Sequence, residues 1–237
     1  MKIVAISDTH CGHEELELPE GDVLVHAGDF SHRRNKESVR GFLDWFEAQP
    51  HPRKILIAGN HDGLFETDPE WCAQYMEHMN SSFTYLQDSG CEIDGVKFWG
   101  SPWQPEFNNW HFNLPRGMAL ANKWARIPDD TDVLITHGPP LGILDECPDW
   151  HPTFRRSKKK LVHVGCKEMA TALERVNPKI HIFGHIHEGA GILEQDGRTY
   201  INASSMDGSY DLVHPPRVVE IWKTTTTTTS IPTPHRG

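Results

Sequence analysis

The sequence contains few cysteines, and their spacing is not that of a disulfide framework or a cysteine metal site. Its five cysteines are odd in number and widely separated, and none of them form a C-x-x-C pair. Small secreted domains that depend on disulfides are much richer in cysteine. We therefore expect a reducing, cytoplasmic setting.

Long apolar stretches and excess positive charge are also missing. No segment is long and apolar enough to span a membrane, and Met1 leads straight into a strand-like pattern without a leader sequence. The formal net charge of −10 disfavours sequence-independent binding to a nucleic acid backbone. We expect no membrane association and no stable nucleic acid complex, while the oligomeric state stays open.

Short apolar runs and helical patterns alternate along the 237 residues, which predicts an α/β fold. Apolar runs that indicate buried strands cover residues 2–6, 22–27, 54–58, 132–136 and 179–183, and further strands are expected at 199–203 and 217–222. Asp94-Gly95 predicts a hairpin turn. Helices are predicted from Ser38, from Pro69 and over residues 167–176, with an irregular loop at 101–117.

Each of the first five runs is followed by side chains that commonly bind metal ions. These candidates are Asp8, His10, Asp29, Asn60, His61, His137, His185 and His187. Ligands in α/β sheets bind beyond the carboxyl ends of the strands, so we expect these groups to converge. Any one of them alone is more often a turn, a cap or a packed loop residue, but their recurrence at five strand ends favours a metal site.

The chemistry of this set indicates the kind of metal. Nitrogen and oxygen donors without sulfur suit Mn, Fe, Zn or Co. Even without His61, the seven remaining candidates exceed the need of one ion and suit two ions about 3.5–4 Å apart that share a carboxylate, as in enzymes that act on phosphate esters.

The order of these segments resembles a known family signature. Asp8-Thr-His10, Gly28-Asp29, Gly59-Asn-His-Asp62, His137-Gly138 and Gly184-His-Ile-His187 resemble the five blocks of the calcineurin-like metallophosphoesterases. Ser101-Pro-Trp-Gln-Pro105, Thr136-His-Gly-Pro-Pro-Leu-Gly142 and Tyr200-Ile-Asn-Ala-Ser204 are similar to the metallophosphoesterase-domain-containing phosphodiesterase branch.

The resemblance implies a fold of two packed mixed β-sheets flanked by helices, a four-layer sandwich. It covers residues 1–222 as one metallophosphoesterase domain. Residues 223–237 are a threonine-rich, low-complexity segment that is predicted to be disordered.

The resemblance also implies two divalent ions, with Mn²⁺ favoured over Fe, Zn and Co. One ion would take Asp8, His10, Asp29 and His187, and the other would take Asp29, Asn60, His137 and His185, so that Asp29 bridges them. Some animal relatives carry glycine at the position of His185, and this chain retains the histidine.

The implied activity is hydrolysis of phosphodiesters by a metal-bridging hydroxide, with cyclic nucleotides as candidate substrates. His61 is the expected general acid, and Asp62 either orients it or is an ordinary turn carboxylate. The alternatives are a phosphomonoesterase or nuclease on the same scaffold, or a metal-stabilised binding or scaffold protein with little turnover.

The aromatic side chains of the loop at 101–117 and the basic segment at 150–160 have two interpretations each. The aromatic side chains Trp103, Phe107, Trp110 and Phe112 either stack against a nucleotide base or pack the loop onto the core. Arg116, His111 and Asn113 are candidate contacts to phosphate or sugar. The basic segment at 150–160 is either a solvated surface loop or a flap that attracts an anionic substrate.

Overall fold

A computed structural model describes residues 1–149 and 160–222 of the chain. The threonine-rich segment lies outside these residues, and so does the basic segment apart from Lys160. Two large sheets pack against each other in the described part, and helices cover their outer faces. No helix of this part is both long and apolar enough to cross a membrane.

The strands and helices have the following bounds. The strands are β1 (Lys2–Ile6), β2 (Val23–His26), β3 (Arg53–Leu56), β4 (Thr84–Tyr85), β5 (Ser89–Ile93), β6 (Val96–Ser101), β7 (Gln104–Pro105), β8 (Asn113–Leu114), β9 (Val133–Thr136), β10 (Glu146–Pro148), β11 (Leu161–His163), β12 (Ile180–Phe183), β13 (Gly191–Gln195), β14 (Arg198–Asn202) and β15 (Arg217–Glu220). The helices are α1 (Lys36–Ala48), α2 (Leu64–Thr67), α3 (Pro69–His78), α4 (Met118–Trp124) and α5 (Lys167–Val176).

Both large sheets are mixed. The first has the order β15-β1-β2-β3-β4, in which only β15 is antiparallel to its neighbour. The second has the order β13-β14-β12-β9-β6-β5, with a parallel centre and an antiparallel pair at each edge. The carboxyl ends of the parallel strands within each sheet therefore lie at one edge of that sheet.

The central core lies between the sheets. Ile3 and Val25 of the first sheet and Val133 and Ile182 of the second are fully buried in one apolar cluster. Alternate residues of the same strands, such as Leu24, are buried on the opposite face. Burial on both faces explains why these strands appear in the sequence as continuous apolar runs.

The outer layers are formed by amphipathic helices. The Asn35 side chain caps α1 by accepting hydrogen bonds from two backbone N–H groups, and Phe42 and Phe46 bury the helix on the first sheet. On the second sheet, Leu173 of α5 packs in a cluster with Trp124 of α4. This arrangement confirms the predicted four-layer α/β sandwich.

The differences from prediction are local. Strands β2 and β3 end one or two residues earlier than the apolar runs, because the chain turns into the loops that carry Gly28 (φ +97°) and Asn60. Helices α2 and α4 were not predicted, since four and seven residues are too short to show a clear period. The loop predicted at 101–117 contains the two-residue strands β7 and β8.

Candidate metal centre

The loops that follow β1, β2, β3, β9 and β12 meet at one edge of the two sheets. Asp8 joins the sheets there, because its Oδ2 accepts hydrogen bonds from the backbone N–H of His185 (2.9 Å) and from the hydroxyl of Ser204 (2.8 Å). A Cβ on Gly184 would collide with the Asp8 carboxylate, so only glycine allows this approach. The structure thus brings the five predicted segments together.

Four of the candidate ligands have an unusual backbone. Asp8, His10, Asp29 and His185 have φ values of 51°, 39°, 59° and 68°. Residues other than glycine rarely adopt positive φ, and such strain concentrates at functional sites. The tight turns aim these side chains back across the ends of their strands.

A first group of donors surrounds one point. The Nε2 atoms of His10 and His187 are 3.3 Å apart, and they lie 4.0 and 3.4 Å from Oδ1 of Asp8. Asp8 is fully buried, and its Oδ1 has no hydrogen-bond partner among the described residues. A buried carboxylate oxygen without a donor needs another positive partner.

A second group is centred on Asp29. Its Oδ2 lies 3.4 Å from His137 Nε2 and 3.9 Å from His10 Nε2. His137 Nε2 is also 2.9 Å from Oδ1 of Asn60, and His185 offers a ring nitrogen within 4.8 Å of the donor atoms of Asp29 and His137. Asp29 therefore borders both groups.

Backbone carbonyls fix the orientation of two imidazoles. His137 Nδ1 is 2.9 Å from the carbonyl oxygen of Ala27, and His187 Nδ1 is 2.8 Å from that of Asp207. When Nδ1–H donates to a carbonyl, Nε2 is the ring nitrogen left to bind a metal. Both Nε2 atoms face the carboxylates at 3.4 Å.

The pKa shifts reflect this crowding of charged groups. Burial acts to lower the pKa of both His137 and His187. The carboxylate of Asp29 outweighs burial at His137 and raises its pKa to about 9. The carboxylate of Asp8 does the same at His187, whose pKa also rises to about 9. Burial dominates at His10 and His185, whose pKa values fall to about 4 and about 3.

The carboxylates respond in the opposite direction. Burial acts to raise the pKa of Asp8, yet the imidazole of His187, 3.4 Å away, holds it well below its usual range. At Asp29 burial is likewise outweighed, chiefly by the charge of His137, and the pKa is lowered. Both carboxylates are therefore ionised at neutral pH and available to cations.

The donor set fits divalent metal ions. Ligands about 2.1 Å from one ion lie roughly 3–3.5 Å from each other, which is close to the 3.3–3.4 Å separations within each group. Four histidines, two carboxylates and one amide supply nitrogen and oxygen without sulfur, as Mn, Fe, Zn or Co require. These residues match the ligand set expected from the sequence, whose assignment to two ions stays a proposal.

His61 lies beside this set. Its Nε2 is 4.0 Å from Oδ2 of Asp29, and its ring packs edge-on against His10 and Trp110 at centroid distances of 4.6 and 4.5 Å. Its Nδ1 has no hydrogen-bond partner within the described ranges. Burial lowers the pKa of His61.

Asp62 turns away from the His61 ring and supports the backbone instead. Its Oδ2 accepts the N–H groups of Asp29 (2.8 Å) and Gly59 (2.7 Å), and its Oδ1 accepts the N–H (2.9 Å) and hydroxyl (2.7 Å) of Ser31. Burial and then the charge of Asp29 raise the pKa of Asp62 to about 7, against these hydrogen bonds. The carboxylate thus ties the loops after β2 and β3 together.

A cavity of about 370 Å³ opens above the donors. Its walls include Phe107, Trp110 and Tyr210. Two of the four loop aromatics predicted as a stacking wall, Trp103 and Phe112, instead pack against each other in the core. The sequence could not separate these pairs, since all four lie in one irregular loop.

Two of the suggested substrate contacts hold loops in place. The guanidinium of Arg116 borders the cavity and donates to the carbonyl oxygens of Val164 and Gly165 (2.7 and 2.8 Å). The Asn113 amide donates to the carbonyl oxygens of Phe107 and Asn108 (3.1 and 3.4 Å). Both therefore shape the cavity wall.

Sequence reasoning missed three residues of this region. Tyr210 packs its ring against His10 and His187 at centroid distances of 4.9 and 5.2 Å. Ser204 and Ser31 hold Asp8 and Asp62 by hydrogen bonds. Ser31 follows Asp29 closely enough to have been suspected, but no pattern in the sequence marks Tyr210.

A two-sheet sandwich with histidine, carboxylate and amide donors at its strand ends defines the class of metal-dependent phosphoesterases. The family model of calcineurin-like phosphoesterase matches residues 1–189, and the chain belongs to that family. Human metallophosphoesterase domain-containing protein 1 is 42% identical over 93% of this chain and 71% of its own length. The UPF0046 protein K07C11.7 of Caenorhabditis elegans is 36% identical over 95% of this chain and 77% of its own length. One solved structure aligns with a TM-score of 0.62 and 15% identity over 92% of this chain and 98% of that chain, which supports the fold.

Proposed function

We propose that the chain is a dinuclear metal-dependent hydrolase of small phosphodiesters. The observation that carries this proposal is the place of Asp29, whose Oδ2 lies 3.4 Å from His137 and 3.9 Å from His10, between the two donor groups. A shared carboxylate is the mark of two-metal sites that act on phosphate esters. Asp8, His10, Asp29 and His187 would hold one ion, and Asp29, Asn60, His137 and His185 the other.

Two divalent ions held here would supply Lewis acidity and an activated water at neutral pH. Mn²⁺ is the favoured native metal, and metal analysis of protein purified without chelators tests that choice. The chain itself contributes the orientation of the donors, through the carbonyl oxygens of Ala27 and Asp207 and the hydroxyl of Ser204. A cytoplasmic location belongs to the same proposal.

His61 is the proposed general acid. It is next to the ligand Asn60 in sequence, and its ring lines the cavity. An alkoxide leaves slowly unless it is protonated, so a positioned imidazole speeds such a reaction. Asp62 takes no direct part in this step, because its two oxygens are occupied by loop hydrogen bonds.

The leaving group should therefore decide how much the His61→Ala change costs. With an alkyl or ribose leaving group we expect kcat to fall about 10²-fold, the lower range for loss of a general acid. With p-nitrophenolate, which leaves without protonation, kcat should fall by no more than about threefold, because a general acid adds little to the rate with such a leaving group. The matched control His78→Ala changes an exposed histidine of α3 and should leave both rates intact. An equal loss with both leaving groups would remove His61 from this role.

The cavity supports a small organic substrate. About 370 Å³ is within the usual range for small-molecule sites, and Phe107, Trp110 and Tyr210 offer aromatic surface to a base or an aryl ester. The net charge of −10 disfavours long polyanions such as nucleic acids. Cyclic nucleotides are the first natural candidates to test.

Paired model substrates test the reaction class. We expect Mn²⁺-loaded protein to hydrolyse bis(p-nitrophenyl) phosphate about tenfold faster than p-nitrophenyl phosphate, because the aromatic walls bind the second ester group. Chelation should remove the activity, and added Mn²⁺ should restore it. Preference for the monoester would assign a phosphatase instead. Protein that holds two ions and turns over neither substrate would favour the binding or scaffold interpretation.

A further inference from the structure

A second cleft, of about 400 Å³, shares Trp110 with the aromatic cavity. It borders Asn60 and His61 and adds the side chains of Arg33 and Arg34. His61 and Trp110 line both spaces. A molecule that reacts at the metal centre can therefore extend in two directions, one aromatic and one basic.

Contacts to His111 and Glu66 hold the basic cleft in shape. His111 Nδ1 lies 3.1 Å from Oε2 of Glu66, which also accepts the backbone N–H of Phe112 (3.0 Å). With Nδ1–H donating to Glu66, His111 Nε2 accepts the Nε–H of Arg34 at 3.4 Å. This chain of contacts orients the guanidinium, whose terminal N–H groups have no hydrogen-bond partner within the part of the chain that the structure describes.

The charge of this cleft is unbalanced. Among the described residues, neither Arg33 nor Arg34 forms an ion pair with a carboxylate, and both side chains are exposed. This is notable in a chain with a net charge of −10. Both arginines line this cleft, and a guanidinium group presents a planar fork of donors that suits phosphate.

We infer that Arg33 and Arg34 form a subsite for a second phosphate group, carried on the leaving-group side of the substrate. This inference rests on the proposed diesterase function. The proposed general acid must face the leaving oxygen, and His61 lines the arginine cleft as well as the aromatic cavity. The leaving group then continues past Trp110 towards Arg34, while the other ester group packs in the aromatic cavity. The substrate class becomes a diester whose leaving alcohol bears a phosphate.

Dinucleotides that differ only in a terminal phosphate test this subsite. Adenylyl-adenosine is compared with its 5′- and 3′-phosphorylated forms, using Mn²⁺-loaded wild type, Arg34→Gln and the control Arg53→Gln. Arg53 is exposed at the start of β3, so the control removes the same charge away from the site. In wild type we expect one phosphorylated form to have a kcat/KM about tenfold above the unphosphorylated compound.

The preference should fall to about one in Arg34→Gln and persist in Arg53→Gln. Equal kcat/KM values in wild type, or a preference that survives in Arg34→Gln, would overturn the subsite. Calorimetric titration with adenosine 3′,5′-bisphosphate and adenosine 5′-monophosphate separates this failure from failure of the proposed function, because it needs no turnover. Tighter binding of the bisphosphate that is lost in Arg34→Gln supports the subsite, and equal affinities in wild type refute it.

Discussion

Replacing Asp29 with asparagine should reduce kcat for phosphodiesters by about 10³-fold or more, at the upper end of what one electrostatic group contributes. The two oxygens of Asp29 have different tasks. Oδ1 accepts the backbone N–H of His61 at 2.7 Å, and Oδ2 faces the nitrogens of His137 and His10. Asparagine keeps the first contact and places an NH₂ group, which cannot bind a cation, at the second.

Asparagine also suits the backbone at this position. Asp29 has a φ of 59°, and asparagine tolerates that left-handed conformation far better than alanine does. We therefore expect metal-free Asp29→Asn to unfold within about 2–3 °C of metal-free wild type, since a shift of that size corresponds to about 1 kcal/mol or less in a domain of this length. Loss of activity would then not reflect loss of folding.

The metal content is the second measurement on this variant. Because Asp29 borders both donor groups, its loss should lower the bound metal below two ions per chain at equal Mn²⁺ concentration. Asp44→Asn is the matched control, since Asp44 is exposed on α1 and accepts a hydrogen bond from the Tyr75 hydroxyl there. Asp29→Asn protein that retains two ions and normal turnover would contradict a bridging role.

The fold was predictable because strand burial has a direct signature. Strands β1, β9 and β12 are buried on both faces, so each is a continuous apolar run in the sequence. Where a strand is only partly buried, its apolar pattern in the sequence is weaker. Strand β13 alternates half-buried and exposed residues at a sheet edge and was not predicted.

The candidate ligands were predictable for a related reason. Asp8, Asn60 and His185 each stand two residues after the end of an apolar run, and parallel strands bring such positions to one edge. The contacts that support these ligands were not predictable, because they join groups far apart in sequence. Ser204 is 196 residues from Asp8, and no local pattern reports that hydrogen bond.

The aromatic side chains that line the cavity could not be predicted from the sequence for the same reason. Trp103 and Trp110 are chemically identical and lie in one loop, yet Trp103 bonds the Asp88 carboxylate through its indole N–H while Trp110 faces His61. Tyr210 reaches His10 from a loop 200 residues away along the chain. Only the packed fold determines which aromatic side chain meets the site.

Asp62 is the position where sequence and structure lead to different experiments. The sequence interpretation placed it beside His61 as an orienting group or as a turn carboxylate. In the structure its carboxylate accepts four hydrogen bonds from Asp29, Gly59 and Ser31, and it is fully buried. It holds the loop of Asp29 against the loop of Asn60, so its main effect should be on folding.

Asp62→Ala should therefore destabilise the protein by about 3–5 kcal/mol, because it leaves several buried donors without an acceptor. For a domain of this size that loss corresponds to a fall in Tm of roughly 10 °C. The measurement is thermal unfolding of the chelated protein, in which a purely catalytic role would have no effect. Asp44→Ala, an exposed aspartate on α1, is the control and should unfold within about 2 °C of wild type. Asp62→Ala protein with an unchanged metal-free Tm but lost turnover would instead support a direct role beside His61.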